Sequence, residues 1–369
     1  MNQMGESLSI PYDDMGPMKV LHLHSAKAGL RAMVVVDNIA LGPAIGGVRV
    51  SLQVTLDDIM RLARTMTLKN ALAGLSHGGG KAGIIADPKA EGMEHIFRVF
   101  ARMIRELHEF IPGPDMGSNE NSMAWVNDEI GRAVGLPEEI GGIPLDKLGV
   151  TGFGVAECAE VACPYAGIAL KGARVAVQGY GSVGRAVARY LSQKGAVIVA
   201  VSDTGGMIHI PDGIRVSELD AVKNAGASVV NYKQASRKKP GDIFSLDCDI
   251  LIPAATPDAI TRDNVGSIRA KLVLQGANIP ATQEAELLLH EKGILSVPDI
   301  ITNAGGVIAA AMEYEKKSGN GVFDAVSARV RKNTKVVLEK AMNEKVLPRA
   351  AAQAIARERI IEAMKYREY

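Results

Sequence analysis

The stretch Arg174–Leu191, R-V-A-V-Q-G-Y-G-S-V-G-R-A-V-A-R-Y-L, decides the fold. Val175, Ala176 and Val177 make the short apolar run that a buried parallel strand needs. Gly179-x-Gly181-x-x-Gly184 follows. Val183, Ala186, Val187, Tyr190 and Leu191 then fall at i, i+3, i+4, i+7 and i+8, one face of a helix. Each glycine has a physical task. Gly179 permits the tight strand-to-helix turn, Gly181 lets the backbone approach a pyrophosphate, and Gly184 lets the helix pack closely on the strand. The helix N-terminus, opened by Ser182 and Val183, offers free N–H groups and a partial positive charge to phosphates. A second apolar strand, Ala196–Val201, leads to Asp203 and Thr204, at the spacing of an acid that accepts from a ribose hydroxyl. Strand, glycine turn, helix, strand and terminal acid in this order predict a Rossmann-type dinucleotide-binding domain.

The chain of 369 residues is long enough for two domains. Its 42 basic and 41 acidic residues nearly balance, which leaves no electrostatic footprint for nucleic acid or an anionic membrane. Cys158, Cys163 and Cys248 are too scattered for a disulfide framework or a zinc pattern. They read as buried thiols. The start, M-N-Q-M-G-E-S, has no basic-then-apolar signal, and no apolar run approaches the roughly 20 residues of a membrane span. A soluble cytoplasmic protein is expected.

Upstream of the glycine turn, Val20–His24, Ala32–Val36 and Ile45–Val50 read as strands. His22 and His24 alternate on the first of them without a third ligand, so no metal site is expected. Thr55 followed three residues later by Asp58 marks a helix start, and that helix delivers Lys69 near its end. Three consecutive glycines, Gly78–Gly80, precede Lys81. They read as a loop whose backbone approaches a ligand, with Lys81 at its end. Glu91–His108 reads as a helix, and Asp115 stands in a Pro/Gly loop leaving a strand. The Gly/Pro-rich stretch 135–154 is the best linker, with helix resuming near Val155. It separates a domain over 1–145 from a dinucleotide-binding domain over 150–340, and a C-terminal helix lies within 345–369. Arg237-Lys238-Lys239 reads as a solvated surface loop.

Together these residues resemble the glutamate/leucine/phenylalanine/valine dehydrogenase family. The resemblance is carried by Gly42-Pro43-Ala44-Ile45-Gly46-Gly47-Val48-Arg49, Lys69, Gly78-Gly79-Gly80-Lys81 and Pro114-Asp115-Met116-Gly117-Ser118-Asn119-Glu120. Further on it is carried by Thr151-Gly152-Phe153-Gly154-Val155, the glycine turn, Val201-Ser202-Asp203, Gly276-Ala277-Asn278 and Thr302-Asn303-Ala304-Gly305-Gly306-Val307. It implies a two-domain α/β fold: an N-terminal substrate-binding and oligomerisation domain, a Rossmann domain and a cleft between them, with the last helix returning toward the first domain. It also implies a homo-oligomer that catalyses reversible NAD(P)-linked oxidative deamination of an L-amino acid to a 2-oxo acid and ammonia. By the same resemblance, Lys69 binds the substrate α-carboxylate, Lys81 activates the attacking water, and Asp115 moves protons to and from the amino group. Gly46, Gly47 and Asn303 hold substrate. Thr151 and Asn278 line the nicotinamide side, and Gly179, Gly181, Ser182, Val183, Gly184, Asp203 and Thr204 hold the rest of the cofactor. Hydride leaves Cα for the nicotinamide, so the protein mainly positions the partners and handles protons.

Two positions depart from the glutamate-specific pattern. Such members carry a lysine before the Gly-Gly, where this chain has Ile45, and a serine where it has Ala310. Both changes replace partners of the side-chain carboxylate with apolar wall. Leaving a buried carboxylate unpaired costs on the order of 3–5 kcal/mol, about a hundredfold or more in specificity. A leucine-, valine- or phenylalanine-like substrate is therefore expected, with glutamate as the alternative and Arg49 as the nearest other basic residue. NAD is expected over NADP, because Asp203 repels a 2′-phosphate and Thr204-Gly205-Gly206 offers no arginine. A catalytically silent NAD-binding sensor would keep the glycine turn but would not need Lys69, Lys81 and Asp115 together. A 2-hydroxy acid dehydrogenase would need a histidine base that no motif here supplies.

Overall fold

A strand of glycines runs through the sheet that carries the two lysines. In the structure, a computed structural model describing residues 11–233, 235–316 and 319–367, Gly78–Ile84 is not a loop but the fully buried strand β4. It lies inside a five-stranded sheet with β1 (Lys19–Ser25), β2 (Leu30–Asn38), β3 (Ala44–Val50) and β5 (Phe110–Pro114), in the order β1-β2-β4-β3-β5. Glycine weakens a strand unless something must come close. Here a Cβ at Gly78 would lie 1.8 Å from the Asn38 carbonyl oxygen. One at Gly79 would lie 2.0 Å from the Thr67 nitrogen of helix α1 (Leu56–Leu72). The glycines thus admit protein backbone, which corrects the expected ligand-approaching loop.

Helix α1 begins at a reciprocal cap, Asp58 N donating to Thr55 Oγ1 and Thr55 N to Asp58 Oδ2, each at 3.2 Å. Helix α2 (Met93–Met103) is shorter than the expected Glu91–His108, because Gly92 takes φ +81° before it and the chain turns off at Ile104. It packs Phe97 on Trp125 of α3 (Glu120–Ile130), with ring centres 6.1 Å apart. His22 and His24 lie exposed on β1.

The chain divides into two units. One runs as far as Ala71 and adds Ser76–Val134 and the end of the chain from Glu358; the other comprises Leu72–Leu75 and Gly135–Arg357. In the first unit, Arg359 Nη1 donates to the Ala71 carbonyl (2.8 Å).

The second unit holds a seven-stranded sheet in the order β12-β11-β10-β6-β7-β8-β9. Its strands are β6 (Arg174–Gln178), β7 (Val197–Asp203), β8 (Gly206–His209), β9 (Ser236–Lys238), β10 (Ile250–Pro253), β11 (Leu272–Leu274) and β12 (Leu295–Val297). Strands β12 to β7 are parallel, while β8 and β9 run antiparallel at the edge. The basic run expected in a loop is exposed edge strand β9 for Arg237 and Lys238, where charge blunts an unpaired edge.

The α-helices of this unit are α4 (Leu145–Leu148), α5 (Val150–Ala162), α6 (Ser182–Gln193), α7 (Val216–Asn224), α8 (Arg262–Val265), α9 (Gln283–Glu291), α10 (Asp299–Thr302), α11 (Gly305–Tyr314), α12 (Val322–Glu344) and, as far as Arg357, α13 (Pro348–Met364), whose remainder belongs to the first unit. The stretch expected to end a linker at Gly154 is already helix: α5 starts at Val150. Its glycines serve packing, since a Cβ at Gly152 would meet the Ala186 Cβ of α6 at 2.5 Å. One apolar core fills the sheet with Val199, Ile243, Leu251, Val273 and Leu289 among its members. The three cysteines are buried thiols, and burial pushes Cys158 up to about 12 and Cys163 up to about 11. No helix among the described residues is long and apolar enough to cross a membrane, and no group of three or more metal-ligating side chains is found among them. Met1–Ser7, on which the absence of a signal was read, lies outside the described residues.

Candidate active site

In the first unit β3 lies between β4 and β5, parallel to both. Ile45 pairs with Gly79 and Val48 with Ala82, so Gly47 falls beside Lys81. A Cβ at Gly47 would lie 2.7 Å from the Asp115 Cβ and 3.1 Å from Lys81 Nζ. The glycine therefore leaves room for a charged pair: Lys81 Nζ stands 3.1 Å from Asp115 Oδ2. Arg49 Nε, on the same face of β3, donates to that oxygen at 2.9 Å. The turn carrying Asp115 is fixed by Ser118, whose hydroxyl accepts from Asp115 N (2.9 Å) and donates to the Val48 carbonyl (2.7 Å). Burial pushes the Asp115 carboxyl up, but the Lys81 and Arg49 charges outweigh that and hold it below the ordinary carboxylate range.

Lys69 is buried on α1, two residues beyond Thr67, where that helix touches Gly79. Ile45 is buried two residues before Gly47, on the face that carries Lys81. Gly46 answers to packing, since its Cβ would lie 1.7 Å from the Gly80 carbonyl oxygen. Arg49 is the member of this cluster to which sequence reasoning gave no catalytic neighbourhood. Its only signal there is period two, which puts it on the face of Gly47.

In the second unit the turn after β6 has the form expected of a phosphate cradle. Gly179 takes φ +90°, and its Cβ would lie 2.6 Å from the Ala255 Cβ beyond β10. At Gly184 a Cβ would lie 1.9 Å from the Gly179 carbonyl oxygen. Gly181 differs from both: a Cβ there would meet nothing within 4 Å. Packing does not demand that glycine, whereas the close approach of a pyrophosphate would. Helix α6 starts at Ser182 after the N-cap residue Gly181, with no side-chain cap, leaving its first N–H groups for an anion. Val183 is half-buried there, and the Ser182 hydroxyl donates to Asp146 (2.6 Å). The residues thus fit a dinucleotide.

Asp203 is more engaged than its sequence context suggests. Its Oδ2 accepts from Lys223 Nζ (2.8 Å) and Val229 N (2.9 Å), and its Oδ1 from Ser228 Oγ (2.6 Å) and Gly205 N (2.9 Å). Burial pushes this carboxyl up and those donors bring it below its ordinary value. Thr204 beside it is exposed. Lys223 comes from α7, twenty residues away, with no local signal to reveal it.

At the carboxyl end of β11, Asn278 Oδ1 accepts from Asn303 Nδ2 (3.1 Å), and the same amide donates to the Gly276 carbonyl (3.2 Å). A Cβ at Gly306 would meet Thr151 Oγ1 at 2.9 Å, so the start of α5 approaches the start of α11 through the glycine pair. Ala310 is buried two turns beyond Asn303. Thr151, Asn278 and Asn303 thus belong to loops and helix starts beyond the strand ends, where open α/β sheets bind ligands.

A Rossmann sheet with an intact phosphate turn, joined in one chain to an α/β unit bearing a lysine–carboxylate pair, defines a nicotinamide-dependent dehydrogenase. Residues 141–368 match the family model described as Glutamate/Leucine/Phenylalanine/Valine dehydrogenase, and residues 17–132 match Glu/Leu/Phe/Val dehydrogenase, dimerisation domain. The chain belongs to this family and is an amino acid dehydrogenase. It is 36% identical over 360 residues to the NADP-specific glutamate dehydrogenase of Saccharolobus shibatae, covering 89% of this chain and 83% of that one. It is 34% identical over 352 residues to the NAD-specific glutamate dehydrogenase of Staphylococcus aureus, covering 89% and 84%. Among solved structures it is similar to hetero-hexameric glutamate dehydrogenase from Thermus thermophilus in its Leu bound form. That likeness has a TM-score of 0.86 and 32% identity, covering 96% of this chain and 90% of that one.

Proposed function

We propose that the enzyme deaminates an apolar L-amino acid, with Lys81 and Asp115 as its proton-handling pair. The observation that carries this is the Lys81–Asp115 contact of 3.1 Å, in the space left by Gly47 and two residues along β3 from Ile45. Bound NAD or NADP would accept hydride from the substrate Cα. Lys69 holds the α-carboxylate, Lys81 activates the attacking water, and Asp115 exchanges protons with the amine. Asn303 holds substrate, while Thr151 and Asn278 line the nicotinamide. The glycine turn with Ser182 and Val183 holds the pyrophosphate, and Asp203 with Thr204 meets the ribose.

Ile45 in the first unit and Ala310 in the second are each buried and apolar, where glutamate-specific members carry a lysine and a serine. Arg49, the nearest alternative partner for a glutamate side chain, is already engaged with Asp115, which supports that reading. The similar Thermus thermophilus enzyme is described in a leucine-bound form. Glutamate is the second reading, favoured by the names of the relatives. Catalytic efficiency for glutamate against leucine, valine and phenylalanine tests the two. The apolar substrates are expected to lead by about a hundredfold or more, and glutamate as the best substrate would overturn the pocket assignment.

NAD is proposed as the preferred cofactor, with NADP also accepted because Lys223 offsets the charge of Asp203. Self-association is assigned to the first unit, which matches a dimerisation domain, and light scattering of the purified enzyme measures it.

A further inference from the structure

We infer that Arg349 is a positioning residue for Asn278 and Asn303, acting through Asp299; this rests on the assignment of both asparagines to the reacting end of the site. Arg349, the second residue of α13, has a side chain only 14% exposed. A guanidinium so deeply placed needs partners for its whole fork. Its Nε donates to both oxygens of Glu286 on α9, at 2.9 and 2.7 Å. Its Nη2 donates to Gln275 Oε1 (2.8 Å) and Asp299 Oδ1 (2.9 Å). One cation thus joins the end of β11, the side of α9 and the start of α10.

Asp299 passes the constraint on. It is fully buried, and its Oδ2 accepts from the backbone N–H of Ile279 at 3.0 Å. Ile279 takes φ +48°, left-handed backbone that a β-branched residue adopts only where its surroundings impose it. The residue is gripped from the other side too, its carbonyl accepting from Asp258 N (2.9 Å). Asn278 immediately precedes this strained residue, so the angle at which it leaves β11 depends on the grip. Asn303 is tied to the same acid from the other direction, its N–H donating to the Asp299 carbonyl at 3.2 Å. The Thr302 hydroxyl donates to the Gln275 carbonyl and closes the ring. Buried ion clusters are seldom more stabilising than apolar packing of the same volume. The product of this one is a fixed distance between two asparagines.

The test uses the whole chain of 369 residues. Arg349→Lys keeps the charge and removes the planar fork, while Asp299→Asn keeps the shape and removes the charge. Turnover, KM for the amino acid, dissociation of reduced cofactor by its fluorescence, and thermal midpoint are measured, with Asn278→Ala and Asn303→Ala as references. Both clamp variants are expected to lose at least about tenfold in kcat, some 1.4 kcal/mol. Cofactor dissociation should stay within about threefold, because the 179–184 turn is untouched. Folded clamp variants with kcat within about twofold of the parent, beside slow asparagine variants, overturn the clamp alone. Asparagine variants of unchanged kcat overturn the assignment beneath it, and the inference with it. An equal loss of cofactor binding, or failure of both clamp variants to fold, makes the cluster general packing and also overturns the proposal.

Discussion

Lys81 Nζ on β4 and Asp115 Oδ2, just beyond β5, stand 3.1 Å apart across the intervening β3, and both side chains are nearly buried. A cation and a carboxylate held this way can pass protons to different atoms of one substrate without exchanging them with bulk water.

Lys81→Ala and Asp115→Asn are each expected to lower turnover by at least ~10²-fold, the lower range for acid–base groups. Cofactor binding should persist in both. Steady-state rates with a fluorescence titration of reduced cofactor check this, and near-normal turnover removes the residue from the reaction.

Arg49→Met should shift the acid limb of the kcat/KM profile to higher pH. Burial raises the Asp115 pKa, and Lys81 with Arg49 holds it down, so deleting Arg49 lets it climb. A depressed folded-state pKa contributes stability that is complete above the unfolded carboxylate value of about 4 and is lost as pH falls through the folded value. The variant should therefore also unfold at a higher pH on acidification. An unmoved limb would assign it to another group.

Gly47→Ala tests whether the space itself matters. Its Cβ would lie 2.8 Å from the Pro114 carbonyl oxygen and 2.7 Å from the Asp115 Cβ, so either the backbone or the ion pair must move. A displacement of about 1 Å at reacting groups costs about 10²-fold. Turnover should fall by roughly that much while circular dichroism stays native; unchanged turnover would show that the sheet yields freely.

Lys223→Ala should raise the ratio of NAD to NADP efficiency about tenfold, one charge-assisted contact of roughly 1.4 kcal/mol. Removing the cation 2.8 Å from Asp203 leaves its charge to repel a 2′-phosphate. Rates with both cofactors decide, and an unchanged ratio would place selection elsewhere.

Local chemistry explains what could be read from the chain. The turn from Gly179 to Gly184 was legible because strand, glycines and helix follow within a few residues, as was the Thr55–Asp58 cap. Lys81 and Asp115 were legible through family motifs, although the strand holding Lys81 read as a loop. Three glycines have no periodicity, and the Asn38, Thr67 and Phe110 atoms they admit come from three other elements. The same limit hid the start of α5, whose glycines answer to Ala186 and Gly305.

By itself, then, the sequence determined a Rossmann half and a second α/β half, since each depends on spacing along the chain, and it singled out Lys81 and Asp115, for which proton handling is proposed. Only the tertiary structure decided what surrounds them. It brought Arg49 to Asp115 across 66 residues, Lys223 to Asp203 across 20, and Arg349 to Asp299 across 50. Such pairs form because a buried charge must find its counter-charge wherever the packed elements bring one, and no local pattern encodes that meeting.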